Sequence, residues 1–156
     1  MKRGTVISLI FGTVFFLAAF FVMGNRGNPR AIKYVKLGGQ SVRVDLALSK
    51  EAQEKGLAGK DSLDENEGML FVFSYPATRY FWMKDMNFPI DIIWLVPSEG
   101  GEEKEAKVIY IKKNASPETP LLTFGPDSPS KYVLEVAAGF LDKNNLKEGD
   151  SVLFTY

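Results

Sequence analysis

Apolar and polar residues alternate from Ser41 to Leu48. Val42, Val44, Leu46 and Leu48 are separated by Arg43, Asp45 and Ala47. A period of two predicts a strand with one buried and one wet face. Ile32–Leu37 precedes it as a second strand, and Gly38-Gly39 between them predicts a hairpin, because paired glycines supply the positive φ of a tight turn. Ser49 is placed to cap a short helix over Lys50–Lys55, which Gly56 would end. Met69–Phe73 is an unbroken apolar run, as in a central strand, and Arg79–Lys84 and Ile90–Val96 are two further strand candidates rich in aromatic and β-branched residues. Ser98–Glu105 is a charged, glycine-bearing turn before a strand at Lys107–Lys112. Lys113–Ser130 carries Pro117, Pro120 and Pro129 and predicts a long loop. A strand at Lys131–Ala137, a short helix at Ala138–Asn144, a turn at Glu148-Gly149-Asp150 and a strand at Ser151–Thr155 complete the chain. About eight short strands with two short helices predict a mainly β (α+β) domain, a small twisted barrel or sandwich.

The first 24 residues break this pattern. Lys2 and Arg3 are followed by a stretch from Gly4 to Gly24 with no charge, dominated by Val, Ile, Leu, Phe and Ala. As a helix it spans about 30 Å, the thickness of a bilayer core. The expectation is one N-terminal transmembrane helix. The apolar run is long for a signal peptide and lacks an Ala-x-Ala site, which favours an uncleaved anchor over an exported, processed chain. Arg26, Arg30, Lys33 and Lys36 nearly balance Lys2 and Arg3, so charge alone does not orient the segment. A short basic start before an apolar run is built like an export signal. It predicts a single-pass protein of the cytoplasmic membrane with its C-terminal domain outside. Residues 25–31 (NRGNPRA) read as a linker, and residues 32–156 as the domain.

Composition narrows the chemistry. The formal net charge is +0, and once Lys2 and Arg3 are set aside the remainder is slightly acidic, so no basic face is forced and nucleic acid is not an expected partner. The chain has no Cys and no His. A thiolate nucleophile, a disulfide and the usual neutral-pH base are therefore excluded, and catalysis would fall to carboxylates, Lys, Tyr, Ser or Thr. No cofactor and no metal are read from the sequence. Asp142–Asp150 (DKNNLKEGD) has the composition of a calcium loop but puts Leu146 and Lys147 where a ligand and a glycine belong.

Several blocks occur in order along the domain: Gly56-Leu57, Gly68-Met69-Leu70-Phe71-Val72-Phe73, Phe81-Trp82-Met83-Lys84, Pro89-Ile90-Asp91-Ile92, Tyr132-Val133-Leu134-Glu135-Val136, Gly139 and Gly149-Asp150. In this the chain resembles the DUF192 (UPF0127) family from about Val42 to Val152. The resemblance implies a small single β-rich domain, often behind a signal or anchor segment, and implies no particular activity. Two departures stand out. The family pattern continues Phe-Trp-Met-Lys with Asn-Thr, where this chain has Asp85-Met86. Ala58 and Gly59-Lys60 stand where Met and Arg often follow Gly-Leu.

Four residues are candidates for chemistry. Trp82 offers a face for a sugar ring or a cation, and Lys84, on the same side if this stretch is a strand, would bind an anionic or hydroxyl group. Asp91 and Glu135 are acids inside apolar runs and are costly to bury unless paired. Lys84 is the expected partner of Asp91 across adjacent antiparallel strands, with backbone amides as the alternative partners. Trp82, Lys84, Asp91 and Glu135 thus form a candidate binding site for a small polar ligand such as a saccharide or envelope fragment. A small hydrolase using Asp91 and Glu135 as a carboxylate pair is a second reading. A module that stabilises a membrane protein partner, through Leu121, Leu122 and Phe124 of the long loop, is a third.

Overall fold

Gly38 and Gly39 both have positive φ, 55° and 75°, and they join two strands in the two-residue turn expected from the sequence. The structure, a computed structural model, describes residues 32–100 and 104–156. The expected membrane segment (1–24) and linker (25–31) lie outside the described residues. No helix among the described residues is long and apolar enough to cross a membrane.

Among the described residues seven strands, against the expected eight or so, form the sheet: β1 (Tyr34–Leu37), β2 (Gln40–Ala47), β3 (Glu67–Ala77), β4 (Ile90–Pro97), β5 (Glu105–Ala115), β6 (Ser130–Ala137) and β7 (Ser151–Thr155). They close into a barrel in the order β1-β2-β3-β6-β4-β5-β7, with β7 paired back to β1. Closure leaves no long unpaired edge. Every pairing is antiparallel except β2 with β3, which is parallel and needs a crossover. The crossover contains α1 (Lys50–Lys55). Ser49 accepts a hydrogen bond from Ala52 N, and Gly56, with φ 52°, ends the helix as the sequence predicts. The second helix, α2 (Phe140–Lys143), is a single turn that places Phe140 and Leu141 against the barrel core.

The unbroken apolar runs have a simple cause, because β3, β4 and β6 are buried on both faces. Leu70, Ile93, Leu134 and Val136 point into the barrel with Val35, Val42 and Phe154. Phe71, Ile92, Trp94 and Val133 point outward into a second apolar cluster that includes Leu57 and Met83.

The expected strand at Arg79–Lys84 is the element that fails. It makes one isolated bridge, Phe81 to Phe124, and otherwise runs as a loop. Its aromatic residues suit a half-buried surface, and β propensity measures that fit more than ladder formation. Phe81 stands edge-on to Phe71 and Trp94, with centroids 4.8 and 5.8 Å away, so it packs on the sheet without extending it. The loop then turns sharply at Asp85, whose φ is 59°. Its carbonyl accepts from Gly59 N at 3.0 Å. The asparagine usual here in the family pattern tolerates this left-handed backbone well, so the departure has a conformational reading. Asp85→Asn is expected to stabilise by a few tenths of a kcal/mol, raising Tm by about 1–3 °C in thermal unfolding. An unchanged or lower Tm would count against it.

Candidate functional site

Glu135 sits on β6 opposite Ile92 of β4 and Met69 of β3, and it shares their outward face. It is 4% exposed, and its Oε2 has no hydrogen-bond partner. Removal from water disfavours the charged form, and burial pushes the carboxyl up to about 8. At neutral pH Glu135 is therefore a protonated acid, able both to donate and to accept.

A cleft of about 30 Å³, bordered by Gly56, Leu57, Phe71, Trp82 and Lys84, reaches Glu135. That width admits one hydroxyl-sized group. Gly56 helps keep it open: a Cβ there would stand 3.4 Å from the Phe71 ring and 3.7 Å from Glu135 Oε2. Trp82 is 51% exposed, and its indole also borders a wider groove of about 460 Å³ along α1, lined by Gln53, Phe73 and Arg79. Gln53 fixes α1 onto the sheet, donating to the carbonyls of Ala47 and Val72 at 3.2 and 3.1 Å.

Trp82, Lys84 and Glu135 therefore meet around one cleft, and Asp91 does not join them. Asp91 pairs with Val136 in the β4–β6 register, one position out of step with Glu135, so the two acids project from opposite faces of the sheet. This separates the proposed carboxylate pair. Nor does Lys84 partner Asp91: Lys84 lies on the loop, exposed, and not on an adjacent strand. Asp91 instead accepts from two backbone amides, Asn114 N at 2.8 Å and Leu141 N at 2.9 Å. Its place is structural, tying β5 and α2 to the end of β4.

The sequence reading missed Arg79, Gln53 and Gly56. The first had a visible signal, a lone cation within an aromatic stretch, Ser74 to Trp82. The other two were read only as parts of a helix and its stop. Elsewhere, a hollow of about 140 Å³ lies beside Gln40, Glu65, Asn66 and Lys143. Its cation is already paired, Lys143 Nζ standing 2.5 Å from Glu65. Leu121 and Leu122 are exposed on the loop after β5, but two neighbouring side chains make a small patch.

Two solved structures share this architecture. A candidate transcription regulator from Sinorhizobium meliloti 1021 aligns with a TM-score of 0.69 at 26% identity, covering 80% of this chain and 94% of its own. A protein of unknown function from Novosphingobium aromaticivorans DSM 12444 aligns with a TM-score of 0.68 at 29% identity, covering 81% of this chain and 90% of its own. No curated protein matches the chain. The family model DUF192, described as an uncharacterized ACR, matches residues 33–154, and the chain belongs to the DUF192 family.

Proposed function

We propose that this chain is a membrane-tethered, extracytoplasmic module that binds a small polar ligand of saccharide type. Trp82 is the platform, Lys84 stands at the rim and Glu135 is the hydrogen-bonding group at the floor. The apolar length of residues 4–24 supports the tether. One observation carries the ligand reading: a protonated acid with a free oxygen lies at the bottom of a cleft just wide enough for a hydroxyl, beside a half-exposed indole. A neutral carboxyl suits a sugar hydroxyl, since it can both give and receive a hydrogen bond. An indole face suits the C–H surface of a pyranose.

The chain holds only two tryptophans, and Trp94 is fully buried. Quenching of tryptophan emission on titration with oligosaccharides therefore reports Trp82. The expected result is saturable quenching that disappears in Trp82→Ala, with binding weakened about tenfold by a second readout such as calorimetry. A broad panel of envelope glycans that leaves the emission unchanged would refute this reading.

A further inference from the structure

Beyond Trp82 the groove widens into a hollow of about 690 Å³ whose lining includes Lys50 of α1, Tyr75 and Phe73 of β3, Arg79, and Lys131 of β6. No Asp or Glu lines it among the described residues. Its shape comes from an irregularity in the sheet. Val72 pairs with Tyr132 and Ala77 with Ser130, so the intervening residues of β3 bulge away from β6 and carry Ser74 and Tyr75 outward.

Arg79 is held there rigidly. Its carbonyl accepts from the indole Nε1 of buried Trp94 at 2.8 Å, and the Phe81–Phe124 bridge fixes the chain two residues later. Gly125 packs so close that a Cβ would fall 2.4 Å from the same carbonyl oxygen. The guanidinium carbon lies over the Phe73 ring, 4.0 Å from its centroid, and 5.4 Å from that of Tyr75. One of its terminal nitrogens donates to Tyr75 O at 3.2 Å, while Nε is buried without a partner. Arg79 thus makes no ion pair among the described residues, although it is pre-oriented on aromatic rings. Lys131 Nζ donates to Ser74 O at 2.6 Å and keeps two further N–H groups for other partners. Lys50 is partly engaged, 3.6 Å from Glu54.

We propose that this hollow is an anion subsite in which Arg79, assisted by Lys131, holds a carboxylate or phosphate of the ligand. Resting on the Trp82 reading, it makes the ligand an acidic glycan, with a ring on the indole and the acid group beyond it. A planar, oriented guanidinium suits either anion, and a flexible ammonium beside it adds charge without fixing direction. The two ends share one wall, since Phe73 and Arg79 border both the groove and the hollow.

The test uses the full chain in detergent or nanodiscs, titrated with trigalacturonate, its methyl ester and a sugar phosphate. Two signals are followed, Trp82 emission and the NMR resonance of the Arg79 Nε–H. An acidic probe is expected to bind about tenfold more tightly than the ester at low salt, with the advantage shrinking as salt rises. The carboxylate and phosphate arms show which anion is preferred. Arg79→Gln should abolish the advantage and Lys131→Met should reduce it about threefold, each read as the ratio of acid to ester affinity within one variant, so that any general loss of binding or stability cancels. Equal affinity for acid and ester, or an acid preference that survives Arg79→Gln, overturns the anion subsite and leaves the Trp82 reading standing. An Arg79 resonance that responds to the acids while Trp82 emission ignores every saccharide upholds the subsite and removes the saccharide reading. Silence in both signals overturns both.

Discussion

Asp91→Asn is expected to destabilise the fold by about 2–4 kcal/mol, nearly as much as Asp91→Ala. Asp91 is 1% exposed and uses one carboxyl oxygen on Asn114 N and the other on Leu141 N. Those donors come from the end of β5 and from α2, so a single side chain joins three elements at one end of the barrel. An asparagine has one carbonyl oxygen. Its NH2 must then face one of the two amide donors, Leu141 N in a buried contact or Asn114 N in a half-buried one, leaving two N–H groups opposed. Asn114 sharpens the case: its φ is 49°, a left-handed conformation that the contact from Asp91 helps to hold. For a domain of this size the loss corresponds to a fall in Tm of roughly 10 °C. Denaturant and thermal unfolding of both variants decide it. Asp91→Asn within about 0.5 kcal/mol of wild type would show that the two amides find other partners.

The neighbouring acid shows how far residues alone could be read. Both Asp91 and Glu135 stand out in the sequence as acids inside apolar runs, and both are buried. Which would be satisfied was not legible, because the partners of Asp91 are main-chain amides 23 and 50 residues away. Backbone donors carry no side-chain signature. Local features were legible where their physics is local: the Gly38-Gly39 hairpin, the Ser49 cap and Gly56 stop of α1, and β7 at Ser151–Thr155 all appear as the pattern predicts. Barrel closure was not, since the β1–β7 pairing joins the two ends of the domain. Phe81-Trp82-Met83-Lys84 was misread for a different reason. Its side chains pack on an existing sheet, and the same residue types would serve a strand. That error mattered for the site. A strand would also have put Trp82 and Lys84 on one face, so what the sequence did not show is that the segment lies on the sheet as a loop, bordering the cleft that reaches Glu135.

Glu135 leads to the second large expectation, a loss of stability as pH rises from 5 to 9. Its carboxyl titrates near 8 in the folded chain, against an ordinary value of 4.5 once unfolded. Between those values the folded state binds one more proton than the unfolded state, so stability falls with increasing pH. Each pH step in that window costs about 1.4 kcal/mol, a few kcal/mol in all. The stabilising contribution is fully present below 4.5 and is lost as pH passes through 8. The window is unusually clean. With no His and no Cys, the chain lacks the other side chains that ordinarily titrate there. The carboxyls of Glu51, Glu65 and Asp150 are lowered, the first and third mainly by backbone hydrogen bonds and Glu65 by its hydrogen bond with Lys143, so they act on the acid side. Tyr80, raised by its hydrogen bond with Asp127, acts above 10. Glu135→Gln should therefore flatten the profile, leaving the variant near or slightly below wild type at pH 5 and more stable at pH 9. Chemical denaturation at closely spaced pH values reads both curves. A wild-type profile already flat between 5 and 9 would mean that Glu135 ionises normally, and the hydroxyl-binding role assigned to its neutral form would go with it. If the slope is present, ligand binding should hold steady up to about pH 7 and decline only as pH passes through about 8, where the folded carboxyl itself ionises, no longer donates and draws solvent into the cleft.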